Sequence, residues 1–240
     1  MRTTTNTFAL ALVALFVMLI SFGCADVSVN PTADVKGPSV NVDYKHKALE
    51  SFSYTVSLSN QTTLKVMGIN GSVDVQSVSG TNQVKVSGKK VVRANTYSDA
   101  QTHLNDINIE IDEFTNEVLV RTSQPQYSNG RSYDVNYTIS VPAHLNVVVE
   151  NVNGRISGKL DAPQNGIVDL RLQNGNIKLD VPENTSADFS ASLTNGSITV
   201  HNLTLNNRVE TSKMLQGTLG NGDGNISLIT TNGNINVSGF

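Results

Sequence analysis

Residues 147–177 read VVVENVNGRISGKLDAPQNGIVDLRLQNGNI, and the Asn-Gly pair at Asn153 and Gly154 returns within them as Asn174 and Gly175. The interval is 21 residues, and it recurs at Asn195 and Gly196 and again at Gly217, where Gln216 replaces the Asn. Two residues after each glycine stands an aliphatic side chain: Ile156, Ile177, Ile198 or Leu219. Ahead of the glycine, apolar residues fall at every second position. One copy has Val168, Leu170 and Leu172, the next has Phe189, Ala191 and Leu193, and Val147, Val149 and Met214 fit the flanking copies. Alternation of period two describes a strand with one buried face. A fixed period of about 20 to 50 residues describes stacked units that bury a shared core.

An Asn-Gly pair between two alternating runs is also the signature of a β-hairpin with a type I′ turn. Hairpins do not need adjacent copies to keep a common register, whereas stacked coils do, because each apolar column must sit on the same column of its neighbour. The expected fold is therefore all-β: a right-handed β-solenoid, a single-stranded β-helix-like stack of about 21 residues per coil with three short strands and three corners. An antiparallel β-meander or sandwich is the alternative. Glycine at a corner accepts positive φ, Asn tolerates the left-handed region, and stacked Asn side chains can form an amide ladder.

Upstream, Leu64 and Val66, Val73 and Val75, and Val84 and Val86 alternate in the same way, and Asn70 with Gly71 forms an earlier, degenerate copy of the corner. Downstream the spacing shortens, with Gly224-Asn225-Ile226 followed by Asn232 and Gly233 before Ile235. Asn70, Gly71, Asn153, Gly154, Asn174, Gly175, Asn195, Gly196, Gly217, Asn232 and Gly233 are thus expected as structural turns. One helix is expected near 98–105. Ser98 and Gln101 have capping-box spacing, and Ala100, Leu104 and Ile107 are placed to face a core. Ile107, Ile109 and Ile111 then open a hairpin whose outer face carries Glu110, Asp112, Glu113 and Glu117.

The N-terminus reads as a targeting signal followed by a tether. Arg2 precedes an apolar run from Phe8 to Ile20, too short to span a bilayer comfortably but suited to a signal-peptide core. The one cysteine of the chain, Cys24, follows Gly23 at the end of this segment. The arrangement resembles a bacterial lipoprotein signal, which implies lipidation at Cys24 and attachment to a membrane through an N-terminal lipid anchor. Ser21 and Phe22 depart from that pattern, and cleavage at a small-x-small site is the alternative. The expected division is a signal at 1–23, a flexible tether at 24–43 carrying Pro31 and Pro38, and a β-strand-repeat domain at 44–240.

The runs YTISVP (137–142), LNVVVENVNGRISGKL (145–160), IVDLRLQNGNIKLDV (167–181) and ISLITTNGNINV (226–237) resemble the bacterial putative-adhesin domain, a family of unknown function with β-strand repeats. The resemblance implies a solenoid-like fold and an exported or envelope protein. It supplies no catalytic motif.

The chemistry of the residues points the same way. A formal net charge of -3 with scattered lysines and arginines offers no basic face for nucleic acid. His46, His103, His144 and His201 stand apart in sequence without ligand spacing, and neither a G-x-S-x-G elbow nor a P-loop occurs. Asn221, Asp223 and Asn225 alternate like the first ligands of a calcium loop, but Ile226 replaces the required glycine and Asn232 the closing Glu. No cofactor or metal is expected. The longest stretch without period, 123–133, carries Tyr127, Arg131 and Tyr133, residue types favoured at binding hot spots, and forms a candidate partner-binding loop. The expected function is that of a non-enzymatic, lipid-anchored envelope protein, an adhesin or binding scaffold for an envelope protein or a glycan. A polysaccharide-acting enzyme on a β-solenoid, or a periplasmic sensory or assembly partner, are the alternatives.

Overall fold

The structure, a computed structural model, describes residues 45–159 and 166–240. Cys24, the signal and the tether lie outside the described residues. The described chain is almost wholly strand: β1 (His46–Ser57), β2 (Thr63–Met67), β3 (Asn70–Val78), β4 (Gln83–Ala94), α1 (Tyr97–Thr102), a 3-10 turn (His103–Asp106), β5 (Asn108–Glu113), β6 (Glu117–Ser123), β7 (Ser132–Pro142), β8 (Asn146–Lys159), β9 (Ile167–Val181), β10 (Ala187–Asn195), β11 (Ile198–His201), β12 (Asn206–Glu210), β13 (Met214–Leu219), β14 (Gly224–Asn232) and β15 (Ile235–Gly239).

Each coil is a two-armed strand bent at Asn-Gly rather than the three-sided turn expected from its length. In β8 and β9 the first arms pair in parallel from Val147 and Val168, the corners align Asn153 with Asn174 and Gly154 with Gly175, and the second arms pair on to Lys159 and Asp180. The remaining residues of a repeat return the chain to the start of the next first arm, as residues 182–186 do between β9 and β10. Repetition of one bend gives two wings. The first-arm wing runs β5-β6-β2-β8-β9-β14-β10-β13-β12, and the second-arm wing runs β1-β4-β7-β3-β8-β9-β15-β11. Antiparallel strands flank the parallel coils at both ends of the first-arm wing and at the β1 end of the second-arm wing, whose other end is the parallel pair β15-β11.

The coils do not stack in chain order. β14 lies between β9 and β10, with Leu172 beside Thr230 and Thr230 beside Leu193. Met214 therefore does not continue the Leu172 and Leu193 column. It sits in an antiparallel strand opposite Ser192 and is only partly buried. Gly217 is likewise a mid-strand residue of β13 opposite Phe189, not a corner. Its match to the repeat period has no structural counterpart.

Inward side chains from both wings form one core, which includes Leu64, Val66, Val149, Ile156, Leu170, Ile177, Leu179, Ile226, Leu228, Ile235 and Val237. Gly158 shows how closely the wings approach: a Cβ there would lie 3.0 Å from Leu179 of the second arm and 3.9 Å from Leu170 of the first. Two polar side chains in the column ahead of the corner are buried because they satisfy backbone. Asn151 Nδ2 donates to Gly71 O at 3.0 Å, and Thr230 Oγ1 donates to Gly175 O at 3.2 Å. The helix is capped by Thr96, not Ser98, since Thr96 Oγ1 accepts from the Asp99 backbone N–H at 3.1 Å. Ala100, Leu104 and Ile107 are buried as their spacing required.

Candidate functional site

The corners line up as a continuous amide ladder on the surface. Asn153 Nδ2 donates to Asn70 Oδ1 at 2.8 Å, Asn174 to Asn153 at 2.9 Å, Asn232 to Asn174 at 2.8 Å and Asn195 to Asn232 at 2.8 Å. Behind it runs a spine of glycines at positive φ. At Gly175, with φ 136°, an added Cβ would lie 1.7 Å from Gly154 O, so both conformation and space demand glycine. Just past the corner a second line of polar contacts follows: Ser72 N–H donates to Asn136 Oδ1, Asn234 N–H to Asn176 Oδ1 and Ser197 N–H to Asn234 Oδ1.

The ladder ends where Asn70 Nδ2 donates to Tyr133 O at 3.0 Å. Beside that end lies an open depression of about 630 Å³ between β7 and the segment that joins β6 to it. Its lining includes Ile69, Asn70, Asn153, Gln124, Pro125, Gln126, Ser128, Arg131, Ser132, Tyr133 and Asp134. This is the place where irregular backbone, the amide ladder and a concave surface coincide. Gln124 Oε1 is buried beneath it with no hydrogen-bond partner among the described residues.

The ionic groups around the depression are already matched. Arg131 donates from Nη2 to Asp99 Oδ1 at 2.8 Å and from Nε to the same oxygen at 3.1 Å. These hydrogen bonds hold the Asp99 carboxyl below the usual carboxylate range and raise the Arg131 guanidinium. His103 Nδ1 lies 3.1 Å from Asp99 Oδ1 on the other side. Asp134 pairs with Arg93 and accepts from Ser132 Oγ at 3.2 Å. Burial pushes the Tyr133 phenol up, and its hydroxyl donates to Asp106 Oδ2 at 3.1 Å.

These contacts separate the three residues singled out in the sequence. Tyr127 is 74% exposed, Tyr133 is 5% exposed and belongs to the core, and Arg131 is locked onto the helix. They do not form one exposed hot spot. The loop instead contributes Gln124, Pro125 and Gln126, whose signal in the sequence was the polar pair astride a proline, and β7 contributes Asp134, whose partner Arg93 is distant in sequence. The expected corners Asn70, Gly71, Asn153, Gly154, Asn174, Gly175, Asn195, Gly196, Asn232 and Gly233 all lie in the ladder and its spine. Among the described residues no three His, Cys, Asp or Glu side chains gather with metal-binding geometry. A second, smaller hollow of about 330 Å³ lies by Asp188, Val209, Gln216 and Thr218.

The chain is similar over 80% of its length to the whole of a putative cell adhesion protein from Clostridium sporogenes, with 12% identity and a TM-score of 0.47. A putative adhesin from Parabacteroides distasonis matches 78% of this chain and 67% of its own, with 11% identity and a TM-score of 0.25. Another from Bacteroides fragilis matches 80% of this chain and 97% of its own, with 8% identity and a TM-score of 0.21. Among curated proteins none matches the chain in sequence. The family model of the Toastrack domain of unknown function DUF4097 matches residues 26–238, spanning the bent coils and both flanks, and the chain belongs to that family.

Proposed function

We propose that this is an exported, lipid-anchored, non-enzymatic protein of the bacterial cell envelope, and that the depression at the end of the amide ladder is its binding site for an uncharged, hydroxyl-rich ligand, an envelope glycan. The observation that carries the reading is the polar lining of the depression, where the side chains of Asn70, Asn153, Gln124, Gln126 and Ser128 gather around one open concave surface. Neutral ligands are favoured because Arg131 and Asp134 are already compensated by Asp99 and Arg93. Amides and hydroxyls at Asn70, Asn153, Gln126 and Ser128 add paired donors and acceptors. The rigid ladder supports preorganised binding, which limits the ordering cost of association.

The anchor rests on Cys24 after the apolar run from Phe8 to Ile20. Several acyl chains at one N-terminus hold firmly, at about 0.8 kcal/mol per buried CH₂. The test has two arms. Detergent-extracted full-length protein is screened against a glycan array and against envelope proteins by pull-down, with Gln124→Ala beside it. Glycan binding that Gln124→Ala weakens supports the site, and capture of an envelope protein alone overturns the glycan reading. Fatty-acid labelling and membrane fractionation of Cys24→Ser test the anchor: label that persists in the variant, or a wild-type protein that is never labelled, overturns it.

A further inference from the structure

The same dipeptide, Asn-Gly, occurs in this molecule in two opposite physical situations. In the ladder, Asn153, Asn174 and Asn232 have both the nitrogen and the oxygen of the side-chain amide in hydrogen bonds of 2.8–2.9 Å. Asn70 is held at both atoms as well, its nitrogen on Tyr133 O. The following backbone is equally fixed, as Gly233 N–H donates to Asn195 O at 2.8 Å. Asn129 is the contrast. It is exposed with φ 46°, and no hydrogen bond to its side chain is present among the described residues. Gly130 has open space where a Cβ would be, with no atom within 4 Å. The turn is closed by Arg131 N–H on Ser128 O at 2.9 Å, and no hydrogen bond from Gly130 N–H is present among the described residues.

We infer that Asn129, which lies in the chain between the depression's lining residues Ser128 and Arg131, is a site of spontaneous deamidation, and that the laddered asparagines are protected from the same reaction. The backbone nitrogen of Gly130 attacks Asn129 Cγ. The N–Cγ bond forms, the Cγ–Nδ2 bond breaks, and the amide nitrogen leaves as ammonia with the proton lost from Gly130 N. Water then opens the succinimide at either carbonyl, giving aspartate or isoaspartate, and one proton is released. The reaction needs a free amide, a free glycine nitrogen and room for the ring to close, all of which Asn129 has.

Asn221 gives an internal comparison. It is also exposed and also precedes a glycine, but Gly222 N–H donates to Leu219 O at 3.1 Å and Asn221 N–H donates to Ser186 Oγ at 3.0 Å. Asn195, the terminal rung, has only its side-chain nitrogen engaged among the described residues. The order of conversion is therefore Asn129, then Asn221, then Asn195, then the inner rungs. Asn165, which also precedes a glycine, lies outside the described residues. Conversion of Asn129 places a carboxylate two residues before Arg131, where it competes with Asp99 for the guanidinium.

The experiment ages purified full-length protein at mildly alkaline pH and follows each Asn-Gly peptide by mass spectrometry and isoaspartate labelling. Conversion at Asn129 should exceed that at Asn153, Asn174 and Asn232 by at least about tenfold, because the rungs react only from locally opened states. The same chain aged in denaturant should lose that difference. Equal rates at Asn129 and the inner rungs in the native protein would overturn the inference, as would an unreacted Asn129 in native protein when the denatured chain converts there.

Discussion

Asn232 donates its side-chain N–H to Asn174 Oδ1 at 2.8 Å across 58 residues of sequence, while Asn195, much closer to Asn174 in the chain, reaches it only through Asn232. Spatial order and chain order are uncoupled in the middle of the stack. What every rung shares is the local bend, so substitutions at the bend test the fold most directly.

Gly175→Ala should destabilise by about 4 kcal/mol or more, because it adds strain at positive φ to a backbone collision. Its Cβ would lie 1.7 Å from Gly154 O. Gly217→Ala, in an ordinary strand conformation with Asn206 O at 2.9 Å, should cost about 1–2 kcal/mol. Urea melts of the two variants compare them, and equal losses would contradict the assignment of Gly217 to a strand interior.

Leu193→Asp places a carboxylate in the core, where Leu193 is 6% exposed, and should cost about 3–5 kcal/mol or prevent folding. Met214→Asp, at a partly buried site on the antiparallel flank, should be far milder. Thermal melts distinguish them. A Leu193→Asp protein that melts like wild type would remove Leu193 from the core.

Tyr137 predicts weakening at alkaline pH. Burial pushes its phenol up from 10.0 to about 12, against the opposing effect of the hydrogen bond with the Thr122 hydroxyl 2.6 Å away. A group raised on folding contributes its full stability below the unfolded value and loses it as pH climbs through the folded one. Unfolding free energy should therefore fall from pH 10 towards pH 12, by about 1.4 kcal/mol per pH unit at most for this group. Tyr137→Phe should flatten that slope, which chemical denaturation across the range would detect.

Asp99 works in the opposite direction. Its carboxyl is lowered from 3.8, first by the hydrogen bonds from Arg131. Its contribution is complete above that unfolded value and disappears as pH falls through the lower folded one. Arg131→Ala should remove this part of the acid dependence and loosen the 124–131 segment, visible as faster hydrogen exchange there and little change in the ladder.

Chelation supplies a further check. With no gathered metal-ligating group among the described residues, EDTA should leave the melting temperature unchanged, whereas a structural cation would have added stability by mass action. A drop of many degrees would contradict the metal-free reading.

The corners were legible because two requirements coincide at them: glycine for the positive φ and close approach, and Asn for the ladder. Stacking order was not legible, because parallel arms with the same alternation of Val, Leu and Ile are interchangeable in pattern, and nothing in the spacing of Gly175, Gly196 and Gly233 states that the third lies between the other two. Gly217 shared the period without sharing the role, since an antiparallel strand alternates in the same way as a parallel one. The site was less legible than the fold. Arg131 and Tyr133 look like surface anchors until Asp99 and Asp106, which lie 32 and 27 residues away, are brought to them. Ser98 fitted a capping box, but Thr96 has the extended backbone that lets its hydroxyl turn back to Asp99 N–H.

The insertion of β14 and β15 between β9 and the coil of β10 and β11 also sets the order in which the molecule can be completed. A chain emerging from its N-terminus makes β9 and then β10, yet the slot between them stays open until residues 224–239 have been delivered. The final coil acts as a keystone: it is made late, and it joins two parts that have no other parallel pairing to each other. Such non-local closure slows folding, because the entropy of closing the intervening loop is lost before the contacts repay it. A nascent polypeptide of this design remains incomplete during most of its synthesis and locks only when its last segment arrives.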